Sequence, residues 1–185
     1  MNNIRSFIKH VIAESAPLNL VPHSTVVAAI DSALSADRLD IKIPYFRDLM
    51  IEISIVESGI ANNGMIYHKN EKEGSIQGVF QLSPIALQQL RNKNTVPSEK
   101  DNFNRSSATI RDWDQQTDSE IFDSIKLQAV AACMYVLWLC RGKDPGFQTR
   151  NSRANFWKAK YNTASDKMTT AATYETAIST FSKFS

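Results

Sequence analysis

Apolar residues recur along most of this chain at spacings of three and four, the period of an amphipathic helix. Ile4, Phe7, Ile8, Val11 and Ile12 predict a helix over 2–14, closed off by Pro17 and Pro22. Ser24 or Thr25 suits the cap of a second helix through Val26, Val27, Ile30 and Leu34. Residues 37–43 are polar and read as a connection. Pro44 suits the first turn of the next helix. Its apolar stripe is Phe46, Leu49, Met50, Ile53 and Val56, and Gly59 is the expected stop. Residues 60–77 are polar, charged and contain glycine, which suits a long loop or a short hairpin. Ser83 then caps a helix opened by Pro84 and running through Leu87 and Leu90.

Residues 92–117 are polar and read as irregular. Asp118 or Ser119 is the expected cap of one long helix with Ile121, Ile125, Gln128, Ala129, Ala132, Val136, Leu139 and Cys140 on one stripe. Leu127, Val130, Met134, Leu137 and Trp138 occupy its other faces, so most of its sides should be buried. Gly142 is the expected stop, and two further helices are expected at roughly 150–160 and 169–182. The fold class is all-α, in one domain of 185 residues.

Composition fits that picture. Six glycines and six prolines are few for a barrel or sandwich with many tight turns. A net charge of +2 lacks the basic stripe of a nucleic-acid binder, so no nucleic acid is expected as partner. Cys133 and Cys140 lie on one predicted helix, about 10 Å apart along its axis, too far for a disulfide. They read as buried thiols. His10, His23 and His68 are scattered without ligand spacing, so neither a metal nor a cofactor is expected. Lys9 and His10 interrupt the apolar run that a signal peptide would need. The stretch from Leu127 to Cys140 is too short to span a bilayer. The expectation is synthesis in the cytoplasm without a signal peptide, and no membrane insertion.

Glu57 is the position with candidate chemistry. It follows Phe46, Met50 and Ile53 on one helical face and so continues an apolar stripe. A carboxyl group that loses hydration has a raised pKa, and a protonated carboxyl is what a glycosidic leaving oxygen needs as general acid. The same position also suits a glutamate that bends out to water, and spacing alone leaves both readings open. Glu52 should point well away from that face and be solvated.

Glu57-Ser58-Gly59, followed by Gly78-Val79-Phe80-Gln81-Leu82-Ser83-Pro84, resembles the goose-type lysozyme and soluble lytic transglycosylase family. Asp123-Ser124-Ile125 with Ala129, Ala132, Tyr135 and Leu139 is similar to that family's buried helix. Trp157-Lys158-Ala159-Lys160-Tyr161-Asn162 resembles its Tyr-Asn motif, and with Tyr174 further on it looks most like phage-encoded members. The resemblance covers roughly 44–175, and residues 1–43 are left as helices that pack on this core. It departs at 60–77, which is longer than in typical members, and at Thr163, where Ala-Gly is more usual.

The resemblance implies a lysozyme-like helical domain with a cleft. It makes Glu57 the catalytic acid/base and puts Ser58, Phe80, Gln81, Tyr161 and Asn162 in contact with substrate, with the Tyr161 hydroxyl holding the carboxyl group. The implied partner is the peptidoglycan glycan strand, attacked by a monomer acting in the periplasm, as a phage endolysin or a virion-associated enzyme. Two-carboxylate glycosidases flank the bond with a second acid. Here Glu71 and Glu73 read as solvated charges and Asp123 as part of a cap, so no second acid is fixed. Lytic transglycosylases need only one, because the N-acetylmuramic acid 6-hydroxyl closes a 1,6-anhydro ring. Open alternatives are a hydrolytic goose-type lysozyme or chitinase, and a non-catalytic wall-binding or assembly protein. Trp113 and Trp157 are candidate sugar platforms, while Trp138 reads as core.

Overall fold

The computed structural model describes residues 19–35, 41–61, 65–68, 78–91, 116–141, 143–162 and 170–182, and every structural statement below concerns those residues. The expected helix over 2–14, the stretch 92–115, Trp113, Glu71 and Glu73 lie outside them.

The described residues are mostly helical. Strand β1 (Asn19–Pro22) leads into helix α1 (His23–Ser35). Helix α2 (Phe46–Ser58) is followed by β2 (Ile60–Ala61) and β3 (Met65–His68). Then come α3 (Pro84–Arg91), α4 (Asp118–Asp123), α5 (Ile125–Cys140), α6 (Arg150–Phe156), a π-helical turn (Trp157–Tyr161) and α7 (Ala171–Phe181). None of the described helices is long and apolar enough to cross a membrane.

Within 60–77 the described residues pair antiparallel, Ile60 with Ile66 and Ala61 with Met65, as the hairpin reading expects, and 62–64 and 69–77 lie outside the described residues. Strand β1 then adds antiparallel to β3, Asn19 opposite His68 and Pro22 opposite Met65, giving the order β1-β3-β2. Pro22 sits at the end of an edge strand, where a missing N–H costs little. β1 carries no periodic signal because four residues are too few to show one.

Helix α1 starts at His23, ahead of both expected caps, and buries Val26, Ala29, Ile30 and Ala33. It packs on α2 and along α5. Pro44 lies in a turn before α2, and Tyr45 takes a left-handed φ of 59° at the helix start. Gly59, with φ 74°, stops α2 as expected, its N–H reaching the Ile55 carbonyl at 3.1 Å.

The long helix expected from 118 onward is two. Thr117 caps α4 in a reciprocal box with Glu120, and Ser124 leaves helical geometry at φ −117°, ψ 110°. The Ser124 hydroxyl then accepts from the Leu127 N–H at 3.3 Å and opens α5. Apolar periodicity runs through such a break because the cap replaces the lost backbone bonds. Arg141 closes α5 in the left-handed region, at φ 54°. Ser124→Ala should cost about 1 kcal/mol in urea unfolding.

α2 and α5 form the centre. Leu49, Met50, Ile53, Ala129, Ala131, Ala132, Cys133 and Val136 are all fully buried. The two cysteines are indeed free, buried thiols, each pushed up to about 12, chiefly by burial.

Candidate active site

Glu57 occupies the last turn of α2, half-buried, where the helix leaves the core. Its Oε1 accepts a 2.6 Å hydrogen bond from the Nε1–H of Trp157. Trp157 is 1% exposed and opens the π turn. An indole N–H can only donate. Oε1 is therefore an acceptor in either protonation state, and a proton on this carboxyl belongs on Oε2.

Beside it lies the segment 78–82. Gly78 has φ 79°, and an added Cβ there would collide with the Gln128 amide. The Ser58 hydroxyl donates to the Val79 carbonyl at 2.6 Å, fastening this segment to the end of α2. From α5, Gln128 accepts from the Val79 N–H at 2.9 Å and donates to the Phe122 carbonyl at 2.6 Å. The one amide in an otherwise apolar run is thus the clamp for the segment, as a buried polar group must be satisfied. Gly78→Ala meets both an unfavourable φ and the Gln128 side chain. It should lower stability by more than about 1 kcal/mol, read as a fall in the urea midpoint.

The residues expected to touch substrate divide into two groups. Ser58 and Phe80 are both 0% exposed. Their side chains serve the architecture, and Phe80 contributes a backbone carbonyl. Gln81, Tyr161 and Asn162 are half-buried. Gln81 holds a left-handed φ of 48°, uncommon for a residue with a side chain, and its amide donates to the Gly78 carbonyl at 2.5 Å. The Asn162 N–H closes the π turn on the Trp157 carbonyl at 2.7 Å.

Tyr161 does not hold the carboxyl group with its proton. Its hydroxyl donates to the Phe80 carbonyl at 2.6 Å, and the donor expected from Tyr161 is supplied by Trp157. Burial first, then the nearby Glu57 charge, pushes the Tyr161 hydroxyl well above the ordinary tyrosine range, so it stays a neutral donor. Its ring meets Tyr135 edge-on at 5.7 Å, and Tyr135 stacks on Trp138, also at 5.7 Å. Trp138, expected in the core, is only partly buried. Trp157, a candidate platform, is too buried to stack on a sugar.

Glu52 overturns its expected solvation. It is 7% exposed and gripped by Arg153, with Nε to Oε2 at 2.6 Å and Nη2 to Oε1 at 2.7 Å. The Tyr174 hydroxyl donates to Oε2 at 2.8 Å, and Arg153 also donates to the Phe147 carbonyl. α7 packs on α2 and on α6, and Arg153 reaches from α6 to the face of α2 that periodicity marks as polar. The signal missed is that Arg153, Tyr174 and Glu52 lie on three different helices, so no single-helix pattern joins them.

Among the described residues, no group of three or more His, Cys, Asp or Glu is placed to hold a metal ion. The chain matches no protein-family model, no curated protein and no solved structure.

Proposed function

We propose that the chain is a peptidoglycan lytic transglycosylase, cleaving the β-1,4 bond between N-acetylmuramic acid and N-acetylglucosamine, with Glu57 as its single acid/base. The observation that carries this reading is the Glu57 carboxyl itself. It is half-buried at the end of a core helix, with one oxygen committed to a buried indole N–H and the segment 78–82 fastened beside it.

In this scheme Oε2 gives its proton to the glycosidic oxygen as the bond to C1 breaks, and the N-acetylglucosamine end leaves as an alcohol. The acetamido group of the muramic residue supports the positive charge at C1. The carboxylate then takes the proton of the 6-hydroxyl, whose oxygen closes on C1. The carboxyl group ends as it began, and no water is consumed. Glu52, the nearest acid in the chain on α2, is paired with Arg153 and does not compete for the role of second carboxylate. In this reading Trp157 fixes the carboxyl, Tyr161 holds the Phe80 backbone, and Gln81 orients the sugar. The lysozyme-like fold, a phage lytic or virion role and action on the periplasmic wall belong to the same proposal.

The rival enzyme reading, a hydrolytic lysozyme or chitinase, differs in product. Mass spectrometry of digested sacculi should find muropeptides ending in 1,6-anhydro sugars, one water lighter than hydrolysis products. Reducing ends alone would replace the lyase reading with the hydrolase. A wall-binding protein would pellet with sacculi and release neither.

A further inference from the structure

Two contacts between α2 and the α6–π segment run in step along the chain. Glu52 meets Arg153, and Glu57 meets Trp157. Arg153 and Trp157 are four residues apart and therefore share a face of their segment. A bidentate guanidinium–carboxylate pair fixes orientation as well as distance. A single contact would leave the two segments able to slide or rotate, whereas two contacts about one turn apart resist both.

Tyr174, on α7, touches both contacts. Its hydroxyl donates to Oε2 of Glu52 at 2.8 Å, and its ring lies against the Trp157 indole at 5.4 Å between centroids, tilted by 48°. Tyr174 is itself 0% exposed, so its ring has no room to swing. The path Glu52–Tyr174–Trp157–Glu57 therefore starts and ends on the same helix and closes a ring of contacts.

We propose that Tyr174 is a positioning residue for Glu57: gripping Glu52 with its hydroxyl and backing the Trp157 indole with its ring, it fixes where the indole N–H meets the carboxyl. This rests on the reading of Glu57 as the acid/base. Tyr174 stays clear of substrate and acts through Trp157.

The test uses the full chain and the Tyr174→Phe variant, which keeps the ring and removes only the hydroxyl. The indole N–H resonance of Trp157, assigned by its loss in Trp157→Phe, reports the hydrogen bond to Glu57 without requiring activity. Tyr174→Phe should move that resonance and lower kcat for sacculus clearing by about 10-fold with KM within twofold of the parent, because small misplacements of a catalytic group act on the chemical step. Tyr174→Leu, which also removes the ring, should move it further. An unchanged Trp157 resonance in folded Tyr174→Phe overturns the proposal, whatever Tyr174→Leu does. If the parent clears no sacculi, the reading of Glu57 fails, and the resonance still decides whether Tyr174 sets the indole.

Discussion

Glu57→Gln should abolish the clearing of purified sacculi while leaving the fold intact. The amide carbonyl can still accept from the Trp157 indole, so the 2.6 Å contact has a replacement of nearly the same shape. What the amide cannot do is release a proton to a leaving oxygen and take one back. General acid/base catalysis contributes about 100- to 10,000-fold, and the variant should lose a factor of that order. Turbidity loss of a sacculus suspension measures the rate, and circular dichroism with thermal melting checks the fold. Glu57→Asp provides a second reading. It keeps the acid but withdraws it by one methylene from the indole, so it should also be slow. Lysis by Glu57→Gln at the parental rate would remove this carboxyl from the chemistry and assign the acid/base role to another residue.

The place of Glu57 in the last turn of α2 was legible because its evidence is local. A carboxylate on an apolar stripe can be read from the thirteen residues of one helix, and its stop from the glycine that follows. The Ser83 cap is equally local: its hydroxyl accepts from the Ala86 N–H at 3.1 Å. The partners of Glu57 were harder to see. Trp157 is both a large apolar side chain and a donor, and the sequence does not say which property is used. The π turn that presents it differs from an α-helix by one residue per turn, which leaves no mark in apolar spacing. Ser58 and Phe80 sit within the motifs that suggested them, yet a motif does not tell a residue that meets a ligand from one that builds the wall behind it. Glu52 shows the general case. Periodicity describes one helix against one core, and α2 is covered on more than one side. Where a second layer lands on a polar face, the outcome depends on whether a partner arrives with it, and here Arg153 does.

That partner gives the largest stability effect. Arg153→Met should destabilise the protein by about 3–5 kcal/mol, because it leaves the Glu52 carboxylate buried without its main counter-charge. Among the described residues, the Tyr174 hydroxyl and Arg150, 3.6 Å away and 45% exposed, would then face Glu52. The Phe147 carbonyl would lose its donor as well. Urea unfolding should show the loss as a fall in midpoint at unchanged slope. Replacing both partners, Glu52→Met with Arg153→Met, should recover much of that stability, since a well-packed apolar pair avoids the desolvation of two charges. The contrast between single and double variants isolates the unpaired charge as the cause. Should Arg153→Met cost less than about 1 kcal/mol, the pair behaves like an exposed one, with Arg150 swinging in to take over. The assignment of Arg153 as the anchor between α2 and α6 would then fall, and Arg150→Met in the same background would show the loss instead.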